Sequence, residues 1–316
     1  MYIGDHARAN PEGRAVALWP SRAELTWGQL YEGATRLGNL FRSAGLREGD
    51  HVAIYVYNHL RYLEAAAAAL QAGLYLTPVN AHSSPDEAEY VVNDCGADAL
   101  IVADSTVEVA QGLVGRTLGV RLRLTLDGTS GDYRSVDEAV AGQPAEPTAP
   151  ERRGTYMFYS SGTTGRPKGI KPPLPDAPAS TGDVIGPAMA HLYGGEDALY
   201  LSPAPLHHAA PLRTSLSVLE LGTPVVVMER FDAESALAAI EHYRVTSSQW
   251  VPTMFVRMLK LAPAVRDRDD VSRLRRAVHA AAPCPVWAKE SMIAWWGPII
   301  DAVSYTHLTL PTNSRV

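Results

Sequence analysis

At 316 residues the chain can bury a substantial core in one large or two medium domains, and 46% hydrophobic with 20% charged residues is ordinary for a soluble globular protein. A formal charge of −6, from 28 basic and 34 acidic residues, argues against a nucleic-acid partner that needs a broad basic surface. Two distant cysteines, Cys95 and Cys284, build no structural zinc site and fit a reducing, cytoplasmic setting, and no apolar run reaches the roughly 18 residues of a bilayer span, which leaves only peripheral membrane contact open.

The opening residues carry no charged-then-apolar leader pattern. Thr26 and Gln29 fit a capping box, and Leu30, Ala34, Leu37 and Phe41 recur at helical spacing until Gly45. Residues 51–57 read as a strand, 61–72 as a helix and 74–79 as a strand; the alanine-rich stretch 64–72 is too short to cross a bilayer and predicts a buried helix. Ser84, Pro85 and Glu87 supply a serine cap, a proline at the first helical position and a capping glutamate, starting a helix that ends near Gly96 before a strand at 99–103. Such alternation predicts an α/β fold of parallel sheets covered by helices. Charged and turn-forming residues crowd 127–153, an excursion rather than a domain boundary, because the next strand, 155–159, must hold a glycine-rich loop, with Met157 and Phe158 to supply the anchoring.

Residues 159–169 read Tyr-Ser-Ser-Gly-Thr-Thr-Gly-Arg-Pro-Lys-Gly. Gly162, Gly165 and Gly169 permit a backbone that wraps an anion closely; Ser160, Ser161, Thr163 and Thr164 add hydroxyl donors, and Arg166 and Lys168 add positive charge. The combination suits polyphosphate, hence a nucleotide-using enzyme. It is not a Walker A loop, since the fifth residue after Gly162 is Pro167 and Lys168 is followed by glycine. Alternation then resumes: helix 184–193, strand 198–201, helix 214–221 stopped by Gly222, strand 224–228, a helix from Asp232 to about Tyr243, strand 245–250, and a helix from Pro252 carrying Phe255, Met258 and Leu259. Residues 292–300 predict a helix-to-strand transition, after which 304–316 continue no alternation and read as a non-native tail resembling translated adapter sequence.

The glycine-rich signature, with Pro203-Ala-Pro-Leu-His-His208 and Ser248-Gln-Trp-Val-Pro-Thr253, resembles the adenylate-forming acyl-CoA synthetases, and among them the fatty acid–CoA ligases of actinobacteria and related soil bacteria. The resemblance implies an incomplete N-terminal domain over 1–303, built of layered parallel and mixed sheets packed with helices and lacking the mobile C-terminal domain. It implies ATP, Mg2+ and coenzyme A: a carboxylic acid, expected to be a fatty acid, becomes an acyl-adenylate with release of pyrophosphate, and coenzyme A then displaces AMP. Lys168, Thr163 and Thr164 take the phosphate roles, with Ser160, Ser161, Gly162, Gly165, Arg166 and Gly169 shaping the nucleotide site. His208 takes the position of the family histidine near the carboxylate, and His207 departs from the aromatic residue usual there. Ala281, Ala282 and Pro283 match the flat slot beside adenine, and Trp250 and Met254 are expected to wall the acyl pocket. Cys284 is expected to be a packing residue.

The family's aromatic-Gly-x-Thr-Glu segment, whose glutamate helps hold Mg2+, is expected just after Ile300 and does not occur in the sequence, so no metal ligand is assigned. The chain as given is therefore expected to have little ligase activity and poor solubility, with an open sheet edge at 299–300 and Trp295 and Trp296 partly uncovered. An aryl-acid or other carboxylate-adenylating enzyme, and a non-catalytic nucleotide-binding or interaction fragment, stand as the alternatives.

Overall fold

A computed structural model describes residues 2–160 and 166–303. Two parallel-rich sheets organise it. The first has seven strands in the order Ile300–Ala302, Arg276–His279, Ser247–Trp250, Tyr200–Ser202, Val225–Met228, Arg14–Trp19 and Glu24–Thr26, all parallel except the last, which folds back antiparallel on Arg14–Trp19. The second has six parallel strands, in the order Arg134–Ser135, Leu122–Thr125, Ala97–Val102, His51–Ile54, Tyr75–Pro78 and Thr155–Tyr156.

Strand periodicity sorts these sheets into layers. Val16 and Leu18 point into the space between the sheets, where helices Trp27–Ser43, Tyr62–Gln71 and Ala209–Glu220 pack, while Ala17 and Trp19 point outward towards Ala233–Tyr243 and Pro252–Leu259. Across the second sheet, Val52 and Ile54 face the same inner core, and Ala53 and Tyr55 face helices Pro85–Asp94 and Asp104–Gln111. The alanines of Tyr62–Gln71 are buried, and the absence of bulky side chains lets that helix approach Trp27–Ser43 closely.

Both sequence-predicted capping boxes form. Thr26 Oγ1 accepts from the Gln29 amide at 3.2 Å while Gln29 Oε1 accepts from the Thr26 amide at 2.9 Å; Ser84 and Glu87 make the same exchange at 3.4 and 2.9 Å. Leu30, Leu37 and Phe41 are fully buried, as their spacing required.

Several expectations are corrected. The strand read over 155–159 is two: Thr155–Tyr156 pairs with Tyr75 and Leu76, then the chain leaves the sheet and Phe158–Ser160 pairs antiparallel with Lys168–Ile170. Tyr156 and Phe158 stack across that change of partner, 5.2 Å between ring centres. The helix expected from Thr214 begins at Ala209, since Pro211 falls in its first turn where a missing amide costs nothing. The excursion at 127–153 holds strand Arg134–Ser135 and helix Val136–Val140 and so returns to the second sheet; Asn39 fastens its far end by donating to the carbonyls of Pro144 and Glu146 at 3.0 and 2.9 Å. Trp296 is buried, edge-on to Trp250 at 5.7 Å and Phe255 at 6.0 Å, so it was wrongly expected to be uncovered; Trp295 is half-buried, and Ile300–Ala302 is the outermost strand. Among the described residues no helix is long and apolar enough to cross a membrane.

Candidate active site

Parallel strands deliver their carboxyl ends to one side, and here both sheets do so together. Asn58, just past His51–Ile54, fastens them. Its Nδ2 donates to the carbonyls of Ala204 (3.1 Å) and Met228 (2.7 Å), at the ends of two strands of the other sheet, and its Oδ1 accepts from the Leu206 amide at 2.7 Å. The backbone so clamped leads directly into His207 and His208.

His208 is the N-cap of helix Ala209–Glu220, and its imidazole is exposed. The unpaired amides and macrodipole of that twelve-residue helix make its N-terminus favourable to an anion such as a carboxylate. His207 is buried; its Nδ1 accepts a long bond, 3.5 Å, from the Ala81 amide. Its ring lies 4.5 Å from His208 and 6.0 Å from His82, and Tyr57 Oη is 3.3 Å from His82 Nδ1. Desolvation, followed by repulsion from His208 and His82, pushes His207 down to about 3; desolvation and His82 lower His208 as well. His207 is therefore neutral at physiological pH and positions its neighbours without adding fixed charge, and the same causes disfavour the charged form of His208.

A hairpin carries Arg166 and Lys168. Ser160 pairs with Lys168, and Tyr159 with Gly169, so the two ends of the glycine-rich signature lie side by side. A Cβ on Gly169 would meet Met157 Cε first and then the Tyr159 ring at 2.9 Å, so a larger residue here would make those side chains shift. Lys168, Ser160 and Arg166 are exposed. Ser161, Gly162, Thr163, Thr164 and Gly165 lie outside the described residues.

Ala281, Ala282 and Pro283 are exposed just beyond the carboxyl end of Arg276–His279, with Ala281 in the left-handed region at φ 73°. A β-carbon in that region costs roughly 1–2 kcal/mol, the kind of strain that collects at functional loops. His279, at the strand's end, is buried edge-on to Phe255 at 6.0 Å, and burial with Lys289 nearby lowers its pKa. Trp250, the expected pocket wall, ends strand Ser247–Trp250. It is 1% exposed, enclosed by Phe231, Phe255 and Trp296, and its Nε1 donates to Ser248 Oγ at 2.6 Å. Met254 packs in the same core, on the helix-covered face of the seven-stranded sheet. Cys284 is half-buried, packs against that core too, and is raised by desolvation, as suits an inert thiol.

Sequence reasoning passed over Asn58, Tyr57 and His82. An asparagine after a strand looks like any turn residue, and only tertiary pairing reveals its three partners. Among the described residues no group of three or more His, Cys, Asp or Glu side chains is arranged to hold a metal ion.

The family model described as AMP-binding enzyme matches residues 4–308. A feruloyl-CoA synthase of an Amycolatopsis species is 32% identical over 279 residues, covering 88% of this chain and 53% of its own length. A long-chain-fatty-acid–CoA ligase of Thermus thermophilus is 27% identical over 267 residues, covering 82% and 48%. The inhibitor-bound N-terminal domain of FACL13 from Mycobacterium tuberculosis superposes with a TM-score of 0.80 at 21% identity, covering 96% of this chain and 73% of that one, a likeness of fold. The chain spans about half the length of the curated relatives it matches.

Proposed function

The chain belongs to the AMP-binding enzyme family, and from that premise we propose that it carries the nucleotide- and acid-binding portion of an ATP-dependent carboxylate–CoA ligase. The observation that carries the reading is the pairing of Ser160 with Lys168, which sets both cations of the signature at one end of a hairpin.

The proposed chemistry has two steps. A carboxylate oxygen attacks the α-phosphorus of ATP, the bond to the β-phosphate oxygen breaks, and pyrophosphate leaves with that electron pair. Coenzyme A then attacks the acyl carbon through sulfur, loses its thiol proton, and displaces AMP. Two anions must meet in the first step, so neutralisation of the phosphates and exact placement of the acid dominate the barrier. Lys168, Arg166, Thr163 and Thr164 serve the leaving pyrophosphate; Ser160, Ser161, Gly162, Gly165 and Gly169 shape the turn around it. His208 and the helix N-terminus behind it orient the carboxylate. Proton abstraction is not required there, because a carboxylic acid is already ionised at neutral pH. Ala281, Ala282 and Pro283 offer adenine a flat, side-chain-poor surface. When bound with the nucleotide, Mg2+ supplies further charge neutralisation; the described residues offer no ready cage for it, and no step is assigned to it.

A fatty acid is the substrate expected from the signature and fits the similarity to a fatty-acid ligase. The rim of Tyr57, His82, His207 and His208 favours a second reading, an aryl acid with a polar ring substituent, in keeping with the similarity to a feruloyl-CoA synthase. Trp250 and Met254, enclosed in the core, support neither. Calorimetric titration with ATP tests the nucleotide site: binding is expected, weakened roughly tenfold by Lys168→Ala, as fits loss of a charge-assisted contact. Equal affinity in the variant would sink the assignment of Lys168. At the length of the relatives, acid-dependent pyrophosphate release across fatty and hydroxycinnamic acids separates the two substrate readings, and ATP binding without any acid-dependent release would leave a non-catalytic nucleotide-binding protein.

A further inference from the structure

Helix Pro85–Asp94 touches both limbs of the hairpin that carries the signature. On the outgoing limb, Tyr159 Oη donates to Asp94 Oδ2 at 2.6 Å. On the returning limb, the Arg166 guanidinium lies 5.2 Å from the centre of the Tyr90 ring, within cation–π range. Tyr90 and Asp94 are four residues apart and share a face, and Tyr90 Oη donates to the second carboxylate oxygen of Asp94 at 3.4 Å. The helix beneath them is well fixed: Ser84 and Glu87 cap its start, and Ala88, Val91 and Val92 are buried against the sheet. It links two parallel strands, Tyr75–Pro78 and Ala97–Val102, and so runs back against them. The step from Asp94 to Tyr90 therefore climbs one turn towards the carboxyl ends, the side on which Asn58, His207 and His208 meet.

We propose that Tyr90 and Asp94 are positioning residues that seat the hairpin on this helix and so fix Arg166 and Lys168 at a set height beside the candidate active site. The proposal deepens the phosphate-binding reading of the signature and rests on it for its functional meaning. Helix Pro85–Asp94 then acts as the rigid post from which the signature is presented. Tyr159 contributes through its hydroxyl, not only through its ring.

Trypsin provides the test on the whole 316-residue chain. Between Arg153 and Arg213 the sequence offers one readily cleaved bond, Lys168–Gly169, because Arg166 and Lys171 each precede proline. Under native conditions its cleavage rate reports local opening of the hairpin. Tyr159→Phe and Asp94→Ala are each expected to raise that rate roughly tenfold, the scale of a hydrogen bond to a charged group. Asp94→Asn, which keeps an acceptor, is expected to raise it less. Cleavage after the exposed Arg47 and Arg244 and the thermal midpoint should stay as in the parent chain. An unchanged rate at Lys168–Gly169 in both Tyr159→Phe and Asp94→Ala, or a rise shared equally by every site, overturns the seat. Magnesium ATP as a protecting ligand keeps the two ideas apart. Faster cleavage in the variants with no protection by ATP leaves the seat standing and removes the phosphate reading, whereas protection with no effect of the variants does the reverse.

Discussion

His51 stacks on Tyr75 with ring centres 4.6 Å apart and planes 9° from parallel, and neither of its ring nitrogens has a hydrogen-bond partner among the described residues. Burial, then the positive charge of Lys171, pushes its pKa down to about 4. The folded chain holds this imidazole neutral where an unfolded chain would protonate it. Its contribution is therefore fully present above pH 6.5 and is lost progressively as pH falls towards 4. His51→Phe keeps the stacked ring and removes both the unpaired nitrogens and the titration. Relative to the parent it is expected to gain on the order of 1 kcal/mol at pH 5, with a flatter denaturation midpoint between pH 6.5 and 4.5; parallel pH curves for the two proteins would contradict this. At this scale the sequence was legible where chemistry is local. The proposed anion site at 159–169 rests on hydroxyls, glycines and cations, which residue type alone displays. His51, a histidine at the head of an apolar strand, gives no hint of its isolation until its neighbours are in place.

Among the elements, Thr26–Gln29 and Ser84–Glu87 could be read because each cap is closed within four residues. Strand Arg14–Trp19 could not, since its partner Val225–Met228 lies in the other half of the chain and nothing local marks the pairing. Ala281, Ala282 and Pro283 were legible as an expected adenine slot, but the strand before them, Arg276–His279, depends for its place on neighbours at Ser247–Trp250 and Ile300–Ala302. Asn58 joins such distant elements end to end. Asn58→Ala is expected to cost about 2–4 kcal/mol, because it removes three hydrogen bonds and strands one amide and two carbonyls. Asn58→Asp keeps only the acceptor for Leu206 and should recover part of that loss. Chemical denaturation gives both values. Modification of histidine by diethyl pyrocarbonate should also speed up at His207 in Asn58→Ala, since the backbone that buries it is released; an unchanged rate there would mean that the clamp does not hold the histidine segment.

For the molecule as a whole, the two sheets draw on the chain unequally. The six-stranded sheet is made from residues 51–156 in one stretch, whereas the seven-stranded sheet combines Arg14–Trp19 and Glu24–Thr26 with strands from residue 200 onward. Val16 meets Val225 about two hundred residues later in the chain. During translation at ordinary rates the ribosome takes about 10–40 s to cover that interval. Throughout it, a strand of five buried residues (Ala15 to Trp19) has only the short Glu24–Thr26 to pair with, and its other edge stays open. Ribosome-bound chains arrested before residue 225 should be cut by protease after Arg14, and chains arrested well past 228 should resist. The order in which the message is read thus sets how long this strand waits for its sheet.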